Sequence, residues 1–393
     1  MRKLSNNTKY DFKFKYLVNY CIVLALLVLG LVLMFTGGLK MSFARLLTQI
    51  GFSIILAVSL NLVVGFLGEL SLGHAGFMCI GAYIGGFSAN LLSNYIGSKF
   101  LVLVLTMIIG GVLASVFGFI IGLPSLRLKG DYLAIVTLAF GEIVRNIFKN
   151  QKAFGGAMGL STGRIQYDSR NNMTLFIITF AIALIMLFVL QNLVRSKHGR
   201  AITAIRDNEI AAKAMGINVT FYKLLAFIVA SFFAGVAGVI YAHYTTPVSY
   251  TFFSYNYSIE ILVMVVLGGM GNITGSIIAA TLISCVNFFL QSRLSGDLAA
   301  LRYLIYALVL IFIIIFSNAP ALRPFKEKYG ISALSEKIKK LLKKSKPFNP
   351  AVIKEDEGSW DRIPTKIDMD ALLSTDINPD TPDEQEGADK KSD

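Results

Sequence analysis

RSKHGRAITAIRDNEIAAKAMGINVTFY, residues Arg195 to Tyr222, is a polar interruption between two long apolar runs. The flanking runs have the length and composition of membrane helices, so the interruption lies in water between two crossings. It has a helical period of its own. Ala201, Ala204, Ile205, Ala211, Ala212 and Met215 fall on one face, while Arg206, Glu209 and Lys213 fall on the other. Gly199 is placed to begin such a helix and Gly216 to end it. The helix either lies on lipid headgroups or receives another protein on its small-residue stripe. Membrane-surface helices usually carry Trp, Phe or Leu on the apolar side. This one carries mostly alanine, which favours the second reading.

The rest of the composition agrees with a membrane setting. Of 393 residues 55% are hydrophobic and only 16% charged, against about 25% charged in soluble domains. The formal charge of +13 is no nucleic-acid signal, because Lys and Arg gather at the ends of apolar segments, where topology uses them. Cys21, Cys79 and Cys285 stand singly inside apolar runs, without metal or disulfide spacing.

Residues 1–15 carry five basic side chains against Asp11, which predicts a cytoplasmic N-terminus. Apolar runs follow at about 16–36 and 46–66, and then GFLGELSLGHAGFMCIGAYIGG leads into a third that ends near Leu92. Gly68, Gly73 and Gly76 predict a helix break there, and broken backbone at membrane depth is tolerated only inside protein or beside a water-filled cavity. Asn61, Glu69, Ser71 and His74 supply polar groups at the break and are candidates for a solute path; solvation near the headgroups is the alternative. A fourth run covers 100–123. In the next helix Glu142, Arg145 and Asn146 stand at i, i+3 and i+4, so Glu142 either lines the path or is neutralised by Arg145.

The sixth crossing, about 173–194, delivers the chain to the opening stretch, and the seventh covers about 221–241. Gly268, Gly269 and Gly271 then make a tight reversal between two apolar arms, the first carrying Glu260 as another path candidate. The glycine string is not a dinucleotide loop, since it lacks the soluble βαβ setting. A last crossing spans 301–317, and the basic segment at 319–347 reads as cytoplasmic. Both arms around Gly269 must then cross, giving about ten transmembrane helices in an all-α polytopic fold. Residues 348–393 turn acidic and polar, the composition of a disordered tail. No GxxxxGK[ST] string, catalytic triad or metal spacing is present, so no enzyme activity and no directly bound cofactor is expected.

Four stretches carry a resemblance: LNLVVGFLGELSLGHAGFMCIGAY, RLKGDYLAIVTLAFGEI, GRAITAIRDNEIAAKAMGI and MVVLGGMGNITG. Together they resemble the branched-chain amino-acid ABC transporter permeases of the LivM type, across roughly residues 46–290. Glu69 stands where that family usually has glutamine. Phe154 to Leu160 replaces its usual Thr-Gly-Gly-Ala-Asn-Gly-Leu, so no contact is carried over to that loop. The resemblance implies a permease domain over 16–318 in the cell membrane, paired with a homologous second permease subunit, two ABC ATPase subunits that use ATP, and an extracellular substrate-binding protein. It implies that the segment 195–222 couples to the ATPase through Gly199, Arg200, Ala204, Arg206, Asp207, Asn208, Glu209, Ala211, Ala212 and Gly216. Related permeases for sugars, nucleosides or urea, and a secondary transporter that needs no ATPase, remain the alternatives.

Overall fold

In hydrocarbon a chain must satisfy its own backbone polar groups, which a helix does within one segment. The apolar runs accordingly form helices: α1 (Arg2–Phe35), α2 (Met41–Asn61), α3 (His74–Leu92), α4 (Lys99–Ser125), α5 (Asp131–Asn150) and α6 (Asn172–Arg195). After the polar interruption, which forms α7 (Lys197–Asp207) and α8 (Glu209–Ala214), come α9 (Val219–Tyr244), α10 (Tyr255–Gly268) and α11 (Ile273–Arg293). The computed structural model describes residues 2–35, 41–125, 130–163, 165–167 and 172–293, with Leu308 and Ile311, all within a unit of residues 1–319. Apart from Leu308 and Ile311, the crossing expected over 301–317 lies outside the described residues, as do the basic segment and the acidic tail. Among the described residues there is no strand, only an isolated antiparallel bridge between Leu160 and Val248.

Six of the described helical segments are long and apolar enough to cross a membrane, and two shorter apolar ones, Val18–Met34 and Tyr255–Gly268, accompany them. The chain is therefore a multi-pass membrane protein. Its most buried crossing is the segment Arg45–Leu67, with every residue from Ile50 to Gly65 buried inside the protein. By contrast α4 shows Leu101, Leu105, Ile108, Val112, Val116 and Phe119 on its outside. Their spacing of three and four draws one apolar stripe along the helix, the pattern of a lipid-facing side.

Helices α3, α4 and α9 approach one another closely because small residues face each other. A Cβ on Gly81 would overlap the Gly235 carbonyl, and one on Gly238 would overlap the Met78 carbonyl. This is the small-residue packing expected where lipid gives helices no hydrophobic reason to associate.

The loops collect in two groups. In one, Asn90 Nδ2 donates to the Ser161 carbonyl at 2.8 Å, Thr162 N–H donates to Thr246 Oγ1 at 3.1 Å, and Leu160 pairs with Val248. The other gathers α7, α8, the end of α2 and the Gly269–Gly271 reversal.

Two sequence expectations change here. The single helix from Gly199 to Gly216 is two helices, because Asn208 takes an extended conformation (φ −159°, ψ 105°) between them. Its carboxamide accepts from Ala211 N–H at 3.0 Å, the kind of local bond that draws Asn out of helix interiors and into caps. The small-residue stripe also divides: Ala201, Ile205 and Ala212 are buried against the chain itself and Ala204 is half-buried, while Ala211 and Met215 are exposed, so only part of that face is open to another protein.

Candidate functional site

The site grows from the place where α2 stops being an α-helix. Leu62–Leu67 continues it as a π-helical turn, and Gly68 ends the turn at φ +81°, a conformation that glycine adopts without cost. Residues 68–73 then run without regular structure until α3 begins at His74. The break is tied to its surroundings by side chains from other helices. Leu72 N–H donates to Thr137 Oγ1 on α5 at 3.0 Å, and Ala75 N–H donates to Ser258 Oγ on α10 at 3.1 Å. Gly73 and Gly76 sit against the backbone of Thr137 and Gly141, leaving no room for a side chain. Irregular backbone survives here because protein groups, not lipid, meet it.

Asn61, fully buried at the end of α2, bridges to the second reversal. Its Nδ2 donates to Ser276 Oγ and its Oδ1 accepts from Gly271 N–H, both at 2.9 Å. A Cβ on Gly65 would overlap both Asn61 Oδ1 and Gly271 N. Gly269 and Gly271 take φ values of +88° and +77°.

Onto this junction the polar segment lays Arg206. Its Nη1 donates to the Gly65 carbonyl at 3.0 Å, while Nε and Nη2 hold Asp207 Oδ1 at 3.1 and 3.0 Å. The Arg206 stem fills the space that a Cβ on Gly68 would need. Arg206 thus reads the backbone of the break directly, although sequence periodicity put it on the wet face.

Beside it lies a group of three charges. Lys223, 3% exposed on α9, pairs with Glu69 in the break and, at 3.4 Å, with Glu209 at the start of α8. Burial pushes the Glu69 carboxyl above its ordinary range, more than the neighbouring Lys223 ammonium pulls it down. Glu69 Oε2 is buried without a hydrogen-bond partner.

The expected site residues therefore divide. Asn61, Gly68, Glu69, Arg206, Glu209 and Gly271 meet at one junction. Ser71 is buried in the break. His74 faces Ser59 at 2.8 Å, and since the Ser59 hydroxyl donates to the Leu56 carbonyl, His74 Nε2–H is the donor between them. Glu142 and Glu260 lie elsewhere. Glu142 pairs with Arg145 at 2.6 Å and accepts from Tyr255 N–H at 3.0 Å, where α10 begins; Glu260 accepts from Asn287 on α11. In the segment 195–222, Arg200, Asp207, Asn208, Ala211 and Gly216 are exposed, Ala204 is half-buried, and Gly199 and Ala212 are buried. Ile210 and Met215 are 78% and 83% exposed. Sequence reasoning missed Lys223, Thr137, Ser258 and Ser276. Lys223 carried a signal, as the one charge in the apolar run VTFYKLLAF, but it read as a flanking topology charge.

Residues 42–314 match the family model described as branched-chain amino acid transport system / permease component. Over 261 residues the chain is 38% identical to the high-affinity branched-chain amino acid transport system permease protein LivM of Escherichia coli, covering 58% of this chain and 59% of that protein. The Salmonella typhimurium protein of the same name is 37% identical over the same lengths. A probable branched-chain amino acid transport permease protein LivM of Methanocaldococcus jannaschii is 31% identical over 271 residues, 59% of this chain and 76% of the relative. The matched region thus spans about three-fifths of the length of the two bacterial relatives. Since the family model takes in most of the helices and every residue of the junction just described, this chain belongs to the family of permease components of branched-chain amino acid transport systems.

Proposed function

We propose that the chain is the membrane-spanning permease subunit of an ATP-binding-cassette importer for branched-chain or related amino acids. It forms half of the translocation path with a homologous second permease subunit. Two ATPase subunits hydrolyse ATP below it, and an extracellular binding protein delivers the solute. The chain itself breaks no covalent bond. It crosses the membrane about ten times with both termini in the cytoplasm, and α7 and α8 are the cytoplasmic coupling segment.

The observation that carries this reading is the seating of α7 and α8 on the membrane break, with Arg206 bonded to the Gly65 carbonyl and the opposite side of the segment open. That open side presents Arg200, Asn208, Ile210, Ala211, Lys213 and Met215. A large apolar pair rimmed by polar groups is what a docking partner covers. The buried side supplies a route from that partner into the helices.

Glu142 and Arg145 support the path. Each side chain is 24% exposed, and the same helix also exposes Ile143 and Ile147. An ion pair at such depth faces protein or water rather than lipid. The α5 and α10 side is therefore assigned to the path and the second permease subunit.

The test is uptake and ATP hydrolysis by the assembled transporter carrying Arg200→Glu. Arg200 is exposed, so the variant leaves the fold intact, loses the ATPase subunits on purification and takes up no amino acid. Normal uptake would remove the role given to the segment. Gly199→Pro is a poorer probe, because Gly199 packs on the Leu193 and Val194 carbonyls and any side chain there disturbs the fold.

A further inference from the structure

Of the charges at the junction, those around Lys223 join the consecutive helices α8 and α9 to the break between α2 and α3, which is far from both in sequence. Glu69 belongs to the break between α2 and α3, Lys223 to α9, and Glu209 to the first turn of α8. Helix α8 is otherwise lightly held, with Ala212 as its buried residue and Ile210, Lys213, Ala214 and Met215 turned outward. Glu209 is the charged side chain by which α8 reaches a cation that solvent scarcely touches.

The burial is uneven in an informative way. The Lys223 side chain is 4% exposed and Glu69 13%, while Glu209 is 34% exposed. Charges buried to that degree are costly to separate, since the partner left behind stays uncompensated away from water. Lys223 and Glu69 therefore stay together, and Glu209, reaching Lys223 at 3.4 Å, is the member through which displacement of α8 acts on the pair. Glu69 in turn is fastened into the break, its backbone N–H donating to the Val63 carbonyl at 3.1 Å, five residues before α3 begins.

We infer that Glu209, Lys223 and Glu69 form an ionic strut that transmits displacement of α8 to the break between α2 and α3, with Lys223 as the positioning residue at its centre. The inference rests on the coupling role proposed for α7 and α8. It adds that the link into the membrane helices runs through this buried cation, not through the docking face alone. Arg206 supplies a parallel link to the same turn through the Gly65 carbonyl, so loss of the strut weakens transmission without releasing the segment.

The experiment uses the complete transporter, permease pair with ATPases and binding protein, in proteoliposomes, and reads amino acid taken up per ATP hydrolysed. Glu69→Gln with Lys223→Met neutralises both buried members while keeping their shape, a replacement that buried ion pairs commonly tolerate. Uptake per ATP should fall about tenfold, within the usual range of coupling between sites, with the ATPase subunits still co-purifying. Glu209→Gln cuts the strut at its half-exposed end, where misfolding is not a concern, and should lower the same ratio in the same direction. Lys223→Arg keeps the cation and should hold the ratio near that of the unaltered protein. A ratio unchanged in both neutralised proteins would overturn the strut. So would loss of the ATPase subunits from the double variant, which would make the charges part of docking. Arg200→Glu, measured alongside, separates the two ideas. If it sheds the ATPase subunits while the neutralised proteins keep both the subunits and the normal ratio, the docking role stands and the strut falls; if it keeps the subunits and takes up amino acid normally, the docking role itself fails.

Discussion

At Asn61 a single carboxamide serves two elements, donating to Ser276 and accepting from Gly271 N–H in a place that water does not reach. Asn61→Ala should cost about 1–3 kcal/mol, the penalty for a buried donor left without a partner. Ser276→Ala should cost less, because Gly271 keeps its acceptor. Thermal unfolding in detergent decides, and the reverse order would mean that the bond to Gly271 contributes little. Glu69 makes a prediction in pH. Its carboxyl is raised above the ordinary value of 4.5 mainly by burial, so the folded chain binds more protons than the unfolded one between that value and the raised one. Stability then falls as pH rises through this window. Glu69→Gln should lack that slope, and parallel melting curves for the two proteins would contradict the assignment. At this scale the sequence was only partly legible. The glycines and polar groups of GFLGELSLGHAG marked the break correctly, because few other roles suit such residues within an apolar run. Lys223 was opaque, since a lysine at a helix start looks the same whether it faces headgroups or two carboxylates from distant parts of the chain.

Among elements, α7 and α8 show what periodicity can and cannot say. Spacing identified an apolar face over 199–216, and its α7 part is mostly buried while Ala211 and Met215 stay exposed. It could not say against what, and the answer is the chain's own helices. The interruption at Asn208 was also hidden, because one capping bond outweighs a helical pattern that continues on both sides. Asn208→Ala should remove about 1 kcal/mol of cap stability and speed amide exchange over Glu209–Ala214, while Asn208→Asp, which retains an acceptor, should not. Exchange measured by mass spectrometry on peptides from this segment would show it, and equal protection in all three proteins would count against the cap.

For the whole molecule, the separation of loops into two groups carries the topology. The loop after α3 contains Tyr95, and α8 is followed by Met215; helices α4, α5 and α6 lie between them. On the proposed topology all three cross, which puts the two positions on opposite sides. With the native cysteines replaced, Tyr95→Cys should react with an impermeant maleimide added outside intact cells, and Met215→Cys only after the membrane is opened. Labelling of both from one side would remove a crossing and with it the cytoplasmic placing of both termini. Both positions are well exposed, 89% and 83%, so access does not confuse the outcome. The all-helical, multi-pass character was plain from composition. The unequal lengths of the arms around Gly269 were not, because the apolar run before it continues past the point where the helix begins.

That inequality reaches into the surrounding lipid. With 14 residues, α10 rises about 21 Å, whereas the hydrocarbon layer is about 30 Å thick. For α10 to cross on the proposed topology, the shortfall of about 9 Å has to be made up at its two ends, by a thinned leaflet or by the Tyr250–Phe253 turn and the Gly269–Gly271 reversal. At one of those ends the Glu142 carboxylate accepts from Tyr255 N–H, so a charge is already in place where the lipid would have to give way.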